Sequence, residues 1–402
     1  MGCSMKSSAQ TSRFLFNDTA LYPLFEQLRR ADSQVVSIFH LGDSHVQAGF
    51  LPEAAAAGLK QKFGDAGPGW VLPYNLARTN GPDAYRWSSH IRWSSVRVVE
   101  RYQVYWPGPG GMTIHTSQVS PSLSCTIKQG STDNIQIFYD AGTGKAPVQA
   151  VGDMEQLTVR IHEDSTAFPE NMQQATITAD SSIYAFRLSW PQHKGLFRFY
   201  GAVLQNGHQG VLYHAIGING AQFMHYNQHA ATLPVQLRIL RPQLLILSLG
   251  TNEAFGGVTA AQLRQEMDKT MKAVREHAPG AKVLFTTPPY GMKKKRRVAY
   301  RKNKRTYYRV TYAANPQVAV LRAEILQYCR DNGYACWDFY DAMRADKRFL
   351  RGWSNDKLHF NAYGYTLQGT MLFETIAAAY DDWIKNLTDA FPGKPVERAE
   401  IQ

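Results

Sequence analysis

Short apolar segments alternate with helical patterns near both ends of the chain, and this alternation limits the fold more than any other feature. Residues 35–41, 244–249 and 282–287 are rich in Val, Ile, Leu and Phe and have the length of buried parallel strands. Helical patterns follow them, including one over residues 259–280 that begins with a capping Thr and stops at Pro-Gly. Strands that alternate with helices favour a parallel sheet covered on both faces. The sequence therefore predicts an α/β fold with three α/β/α layers.

The pattern changes between about residues 92 and 207. Short β-branched and aromatic runs, several of which alternate between apolar and polar residues, are separated there by Gly, Pro, Asp and Asn. Such runs are typical of an antiparallel sandwich or jelly roll. Residues 210–218 then resume a core strand. We predict residues 14–91 as the first part of the α/β core, 92–207 as an inserted β-sandwich domain, and 208–390 as the second part of the core.

One segment carries most of the positive charge of the chain. The 402 residues have a formal net charge of +12, and residues 293–309 hold ten Lys and Arg and no acid, so that removing these ten charges leaves +2 for the rest. Three interpretations of this basic loop stay open: a solvated loop, a nucleic-acid patch, or an attractor for an anionic polymer. No segment approaches the ~18–20 continuous apolar residues that a membrane span needs, so we expect no span.

The four cysteines do not form a disulfide scaffold. Cys329 and Cys336 flank a predicted helix-to-strand turn and can lie close together, although two unpaired thiols are the more common outcome. Cys3 lies in a start of small and polar residues. One interpretation takes Met1 and Gly2 as additions to a mature chain that begins at Cys3, as in a lipid-anchored bacterial lipoprotein.

Four short polar segments follow predicted core strands or precede the last helix. They are residues 42–45, 217–221, 250–253 and 355–360. Ligands bind at the carboxyl ends of the strands in open parallel sheets. We therefore expect the four segments to meet at one edge of the sheet.

These segments hold the residue types that acyl transfer requires. Ser44, on a strand-to-helix turn, is the candidate nucleophile, His359 is the candidate base, and Asp356 is the group that orients the imidazole. The backbone N–H groups of Ser44 and Gly220 and the side-chain amide of Asn252 are the candidate donors of an oxyanion hole. Each segment alone has an ordinary interpretation as a turn, a helix cap or a surface pair. Their joint order and placement favour catalysis.

The four segments resemble those of the SGNH, or GDSL-type, hydrolases. That family has Gly-Asp-Ser after the first strand, a Gly after the second, Gly-x-Asn after the third and Asp-x-x-His near the end, and this chain has the same order. The resemblance implies the same triad and the same three oxyanion donors. It favours Gly220 over Gly217, because the family's donor glycine follows a small polar residue, here Asn219.

Longer segments, among them "GDSHVQAGF", "NGHQGVLYHAIGINGAQF" and "NDKLHFNAYGY", are similar to the bacterial peptidoglycan O-acetylesterases. Those enzymes carry a β-sandwich similar to a carbohydrate-binding module between the first two segments, where residues 92–207 lie here. His45, in place of the Leu of the common pattern, is what this subgroup is expected to show. The resemblance implies a serine esterase that removes O-acetyl groups from N-acetylmuramoyl residues of peptidoglycan through an acetyl-enzyme.

The same resemblance implies a partner and a location. It implies O-acetylated peptidoglycan or a related glycan as the partner, no nucleic acid, no metal or cofactor, and a place in the bacterial cell envelope, in the periplasm, with Cys3 as the candidate lipid anchor. An O-acetyltransferase of the same architecture, an acetylesterase for another polysaccharide, and a carbohydrate-binding protein with an inactive core stay open as alternatives. Four aromatic side chains are candidates for stacking on sugar rings, although each is more typical of a core position; they are Trp70, Trp93, Trp106 and Tyr290.

Overall fold

The computed structural model describes residues 14–142, 147–153, 155–162, 168–169 and 171–390. Within these ranges the chain forms a six-stranded sheet, two antiparallel sheets of seven and four strands, and a separate two-stranded hairpin. The expectation of a lipid anchor at the third residue, a cysteine, lies outside the described residues.

The strands are grouped without intervening helices in the middle of the described chain and alternate with helices towards both ends. In chain order they are β1 (Leu15–Phe16), β2 (Val35–Gly42), β3 (Gly69–Val71), β4 (Tyr85–Ser88), β5 (Ser94–Arg97), β6 (Met112–Thr116), β7 (Ser122–Ile127), β8 (Thr132–Asp140), β9 (Gln149–Val151), β10 (Thr158–Ile161), β11 (Met172–Ile183), β12 (Ala185–Ser189), β13 (Phe197–Gln205), β14 (Gly210–Gly217), β15 (Leu244–Ser248), β16 (Lys282–Thr286), β17 (Met292–Lys302), β18 (Arg305–Ala314) and β19 (Ala335–Trp337).

The helices mostly follow the strands of the six-stranded sheet. They are α1 (Tyr22–Arg29), α2 (Ser44–Gln47), α3 (Phe50–Phe63), α4 (Phe223–Asn227), α5 (Thr232–Leu240), α6 (Thr251–Gly256), α7 (Ala260–His277), α8 (Pro316–Asn332), α9 (Phe339–Ala345) and α10 (Ala362–Ala390), with 3₁₀ turns at Asp18–Leu21 and Lys347–Arg351.

The six-stranded sheet is the α/β core. Its strand order is β1-β19-β16-β15-β2-β14, with β1 antiparallel to β19 and all other pairs parallel. Alternate residues of β2 face opposite sides of the sheet. Ile38 packs in one core with Leu372 of α10, and Phe39 packs in the other with Leu263 of α7. Helices therefore cover both faces, which confirms the predicted three-layer α/β/α fold.

The two antiparallel sheets face each other as a sandwich. Their strand orders are β10-β11-β8-β13-β6-β5 and β4-β7-β12-β9, and β3 also pairs with β13. Trp87 of β4 and Phe199 of β13 belong to different sheets, are both buried, and meet edge to face with ring centroids 5.2 Å apart. Aromatic contacts of this kind between inner faces hold sandwiches together.

Strand pairing begins earlier than the predicted start of the inserted domain at residue 92. β3 pairs with β13, and β4 pairs with β7, so both take part in the antiparallel sheets although they precede that boundary. β14 returns to the core sheet and pairs with β2 in parallel. The division into three parts stays a prediction.

The expectation that residues 293–309 form a loop is wrong. They lie in the hairpin of β17 and β18, which pair from Met292 with Ala314 to Lys302 with Arg305. Asn303 and Lys304 at the turn both have positive φ, 51° and 60°. Two central residues in the left-handed region form the type I′ turn that suits a two-residue hairpin. The usual sequence signal for this turn, Asn-Gly, is absent because Lys occupies the second position.

Cys329 and Cys336 are both buried free thiols. A hydrogen bond with Cys329, together with burial, raises the pKa of the Cys336 thiol well above its usual range. Separately, none of the helices in the part of the chain that the structure describes has the length and hydropathy to cross a membrane.

Candidate active site

Ser44 lies at the junction between β2 and α2. Strand β2 ends at Gly42, and the carboxylate of Asp43 caps the following helix by accepting a hydrogen bond of 2.9 Å from the backbone N–H of His45. A Cβ atom on Gly42 would lie 2.3 Å from Cγ2 of Val46, so the sharp turn leaves space only for glycine. Ser44 is therefore presented at the carboxyl end of a buried core strand.

Ser44, His359 and Asp356 form a continuous hydrogen-bonded chain. Oγ of Ser44 lies 3.0 Å from Nε2 of His359, and Nδ1 of His359 lies 2.7 Å from Oδ2 of Asp356. In this arrangement the imidazole can take the proton of the serine hydroxyl while the carboxylate holds the other ring nitrogen. The structure thus brings together the nucleophile, base and orienting acid expected from the sequence.

The loop that carries Asp356 is organised by its own hydrogen bonds. Oδ1 of Asp356 accepts bonds from the hydroxyl of Ser354 (2.9 Å) and from the backbone N–H groups of Leu358 (3.0 Å) and His359 (2.9 Å). Partial burial raises the pKa of Asp356, but the hydrogen bonds from His359, Leu358 and Ser354 outweigh it and hold this pKa well below its usual range. The Asp356 side chain is therefore an ionised carboxylate at neutral pH.

Gly220 follows the end of β14, the strand that pairs with β2 next to Ser44. The register of β14 and β2 pairs Gly217 with Gly42, so the residues that follow both strand ends leave the same edge of the sheet. Gly220 has φ +84° and nothing lies within 4 Å of the position its Cβ would take. Among the described residues, the backbone N–H groups of Gly220 and Ser44 have no hydrogen-bond partner. Both donors are thus available to an acyl oxygen.

Asn252 reaches the site but its amide is already engaged. Its Nδ2 lies 3.1 Å from Oδ2 of Asp43 and 2.9 Å from the carbonyl oxygen of Ala221. An amide NH₂ has two hydrogens, so an acyl oxygen must replace one of these acceptors. Burial, followed by repulsion from Glu253, raises the pKa of Asp43 to about 8 although the N–H of His45 opposes the shift. The predicted oxyanion role of Asn252 stays a prediction.

Gln47 and Glu253 position the segments that carry the candidate oxyanion donors. The sequence analysis did not single out either side chain. Oε1 of Gln47 accepts a 2.6 Å hydrogen bond from the backbone N–H of Asn219, next to Gly220. Glu253 is buried and accepts bonds from the N–H groups of Phe223 (2.8 Å) and Gly250 (2.9 Å). Sequence gives little signal for these roles, because Asn219 lies 172 residues from Gln47 and Phe223 lies 30 residues from Glu253.

Two other histidines near the site, His40 and His45, are buried and are not suited to proton transfer. His40 is buried in β2, where its ring nitrogens lie 2.7 Å from both Tyr213 Oη and Ser248 Oγ. His45 is buried with its ring centroid 5.4 Å from that of His359, and its Nδ1 lies 3.1 Å from Tyr365 Oη. Burial lowers the pKa of each of these two histidines to about 3. Both therefore act as neutral packing groups.

The candidate sugar-stacking residues mostly belong to the core. Trp70 and Trp93 are buried, and Trp70 stacks on Phe138. Trp106 is partly exposed and donates its indole N–H to Thr232, while Tyr290 packs on the ring of Tyr340. Substrate-binding residues thus do not emerge from this set. Within the described ranges, His, Cys, Asp and Glu do not form a group of three or more that could hold a metal ion.

Comparison with known protein families matches one part of the chain. A profile of the GDSL-like lipase/acylhydrolase family matches residues 180–367, less than half of the chain. The matched segment includes Gly220, Asn252 and His359, whereas Ser44 precedes it. A comparison with curated proteins finds no match.

Solved structures extend the likeness to nearly the whole chain. A solved structure of a peptidoglycan O-acetylesterase matches this chain with a TM-score of 0.71 and 19% sequence identity. The match covers 94% of this chain and 100% of the other. A lipase/acylhydrolase from Enterococcus faecalis matches with a TM-score of 0.32 and 18% identity over 43% of this chain and 78% of its own. A carbohydrate esterase of family 3 from Talaromyces cellulolyticus matches with a TM-score of 0.31 and 13% identity. That match covers 44% of this chain and 73% of its own.

The fold combines a three-layer α/β/α core with additional antiparallel sheets, and residues 180–367 resemble the GDSL-like lipase/acylhydrolase family. The chain resembles the SGNH hydrolases, and its fold is similar to that of a peptidoglycan O-acetylesterase. The resemblance predicted from the sequence is confirmed, and an SGNH acylhydrolase is supported.

Proposed function

We propose that this chain is a serine esterase that removes O-acetyl groups from N-acetylmuramoyl residues of peptidoglycan, and that it acts in the periplasm or elsewhere in the bacterial cell envelope. The observation that carries the proposal is the relay from Ser44 through His359 to Asp356 at the strand ends of this fold. The similarity in fold to a peptidoglycan O-acetylesterase, including the antiparallel sheets, supports the choice of substrate.

Acyl transfer to the enzyme begins at Ser44. Its Oγ attacks the acetyl carbonyl carbon as the hydroxyl proton passes to Nε2 of His359, and Asp356 stabilises the imidazolium through Nδ1. The backbone N–H groups of Ser44 and Gly220 donate to the oxyanion, and Asn252 joins them by exchanging Asp43 for the acyl oxygen. The bond between the carbonyl carbon and the sugar oxygen then breaks, and His359 returns the proton to that oxygen.

Water completes the cycle. His359 takes a proton from a water molecule whose oxygen attacks the acetyl carbon of the acetyl-enzyme. The bond from that carbon to Oγ of Ser44 breaks, His359 returns the proton to the serine, and acetate leaves. These steps need only the groups of the chain and water.

Acetate release from O-acetylated peptidoglycan, compared with acetylated xylan of equal ester content, tests the proposal. We expect faster release from peptidoglycan and a loss on the order of 10³-fold or more in Ser44→Ala. Ser181→Ala, at an exposed serine of β11, is the matched control and keeps wild-type activity.

Three outcomes would contradict the proposal. Unchanged acetate release by Ser44→Ala would remove the catalytic serine. Equal or faster release from xylan would point to another polysaccharide. Transfer of acetyl from a donor ester to unacetylated glycan, detected by mass spectrometry in place of free acetate, would define an O-acetyltransferase.

A further inference from the structure

The hairpin of β17 and β18 projects from the core without support from another sheet. The two strands pair only with each other among the described residues, and every residue from 293 to 309 is exposed. An eleven-residue strand such as β17 spans roughly 35 Å. Isolated two-stranded hairpins are marginally stable. A long exposed hairpin that carries most of the net charge therefore adds little to the stability of the fold, which favours a role in binding.

The cations of this hairpin are uncompensated and occupy both of its faces. Successive residues of a strand point to opposite faces. With the observed register, Lys302 and Arg309 lie on one face and Arg297 and Arg301 on the other. No carboxylate among the described residues forms an ion pair with any cation of residues 293–309. The hairpin is therefore a ribbon that presents positive charge in all directions.

Aromatic rings add flat contact surface between the cations. Tyr300 and Tyr307 stack with ring centroids 5.7 Å apart, and the guanidinium of Arg297 lies 3.8 Å from the ring centroid of Tyr308. These tyrosines are all more than 40% exposed. Such pairs stabilise the pairing of the two strands and restrict the position of the guanidinium group.

The base of the hairpin is bonded to the catalytic loop. The backbone N–H of Met292 donates to the carbonyl of Lys357, and Oη of Tyr312 donates to the carbonyl of Asn355, each at 3.1 Å. These two carbonyls flank Asp356. A molecule that lies along the hairpin therefore extends towards the edge of the sheet where Ser44 and His359 meet.

We propose that the hairpin Met292–Ala314 is a binding arm for a linear polymer that bears repeated carboxylates. Cations recur about 13 Å apart along one strand face, as Arg297 and Arg301 do on β17 and Arg305 and Arg309 do on β18, and such a series can bind repeated anionic groups. A flat lipid surface would contact only one face of the ribbon, and the turn of Lys302 to Arg305 offers no apolar side chain for insertion. The polymer fits better because it can follow both faces. Naming it as peptidoglycan, through its peptide-stem carboxylates, rests on the proposed function.

The experiment measures binding of the full chain to fluorescent poly-γ-glutamate and to peptidoglycan at low and physiological salt. One variant changes five hairpin cations to Gln; they are Arg297, Arg301, Lys302, Lys304 and Arg305. The matched control also changes five exposed cations to Gln, far from the catalytic edge; they are Lys194, Lys269, Lys272, Arg275 and Lys385. Both variants carry the same net charge, but Lys269 and Lys272 of the control are ion-paired with Glu266 and Glu276, whereas the hairpin cations have no carboxylate partner.

We expect the hairpin variant to lose about 10-fold to 100-fold in affinity for both polymers at low salt, with a smaller loss at high salt. The control variant keeps wild-type affinity within a factor of about three, and both variants hydrolyse a small acetyl ester at the wild-type rate, which shows that they are folded. Amidation of the peptidoglycan carboxylates should weaken wild-type binding as much as the hairpin variant does.

Equal binding by the hairpin variant and the wild type would overturn the proposal. Tighter binding to phosphatidylglycerol vesicles or to a single-stranded oligonucleotide than to poly-γ-glutamate, lost in the same variant, would also overturn it and identify a different class of partner. Failure of the proposed function has a different signature, because poly-γ-glutamate binding would persist while peptidoglycan releases no acetate.

Discussion

Ser44 stands on a buried strand-to-helix junction, whereas His359 and Asp356 stand on an exposed loop. Its neighbours Asp43 and His45 are 1% and 4% exposed, but the side chains of His359 and Asp356 are 35% and 49% exposed. The nucleophile is thus placed by the packing of the core sheet. The base and acid are placed by short hydrogen bonds within residues 354–359 and by the attached hairpin.

This contrast predicts which substitutions should affect catalysis and which should affect folding. A substitution on the exposed loop removes few buried contacts, so its main cost falls on proton transfer. A substitution at the junction disturbs tightly packed atoms, so its main cost falls on the free energy of unfolding. Substitutions in each of the two regions test that separation.

Asp356→Asn should have the largest effect. An amide cannot hold the proton-bearing Nδ1 of His359 as a carboxylate does, so the imidazole loses the tautomer and the charge stabilisation that proton transfer needs. We expect kcat on a small acetyl ester to fall on the order of 10²–10⁴-fold, with little change in the thermal midpoint. Lys357→Asn is the control, because Asn accepts the positive φ of 59° at that position. A loss under about 10-fold would break the assignment of Asp356.

Gly42→Ala probes the buried half. The new Cβ would lie 2.3 Å from Cγ2 of Val46 and 3.0 Å from the carbonyl oxygen of Ser248, so the junction must shift. We expect a loss of about 1–3 kcal/mol in the free energy of unfolding, measured by urea denaturation, together with reduced activity. Gly280→Ala is the control, since nothing lies within 4 Å of its Cβ position. Equal stability of the two variants would contradict the view that packing places Ser44.

Sequence patterns were sufficient for the elements that have an apolar face, as helices do, or a continuous apolar run, as the buried strands do. Thr259 caps α7 with a 3.2 Å bond to the N–H of Gln262, and β2 and β15 lie where their Val, Ile and Leu residues indicated. The chemistry of Ser44 and His359 was readable because catalysis demands particular residue types at strand ends. The hairpin was missed because both of its faces are polar, which leaves no apolar periodicity to detect.

Contacts that depend on strand register could not be predicted. Asn252 reaches Asp43 because Ser248, at the end of β15, pairs with Gly42 at the end of β2. A shift of one residue in that pairing would turn the side chains to the other face of the sheet. The engagement of the Asn252 amide by Asp43 therefore follows from the assembled sheet and not from the local sequence of either segment.

His45→Phe tests whether the buried half carries acid sensitivity. Burial, followed by repulsion from His359, lowers the pKa of His45 to about 3, against 6.5 in an unfolded chain. The unfolded chain therefore binds the proton first as pH falls, so this group's contribution to stability is complete above about pH 6.5 and is lost progressively towards pH 3. At pH 5 the loss is about 2 kcal/mol. We expect His45→Phe to reduce the fall in unfolding free energy between pH 7 and pH 5 by about that amount.

Tyr365→Phe is the control for this pH dependence. It breaks the same hydrogen bond, between Tyr365 Oη and Nδ1 of His45, but keeps the imidazole. It should therefore destabilise the protein equally at pH 5 and pH 7, as urea denaturation at both values will measure. If both variants showed the wild-type pH dependence, the acid sensitivity would have to come from other groups.

Tyr312→Phe should have the smallest effect, and it tests how much the hairpin contributes to the position of the exposed catalytic loop. The variant removes only the bond from the hairpin to the carbonyl of Asn355. A hydrogen bond of this kind contributes about 0.5–1.5 kcal/mol, so kcat on a small ester should fall by at most about 10-fold, and Tyr308→Phe on the same hairpin should not change it. A loss equal to that of Asp356→Asn would mean that the hairpin, and not the bonds within the loop, holds the catalytic carboxylate in place.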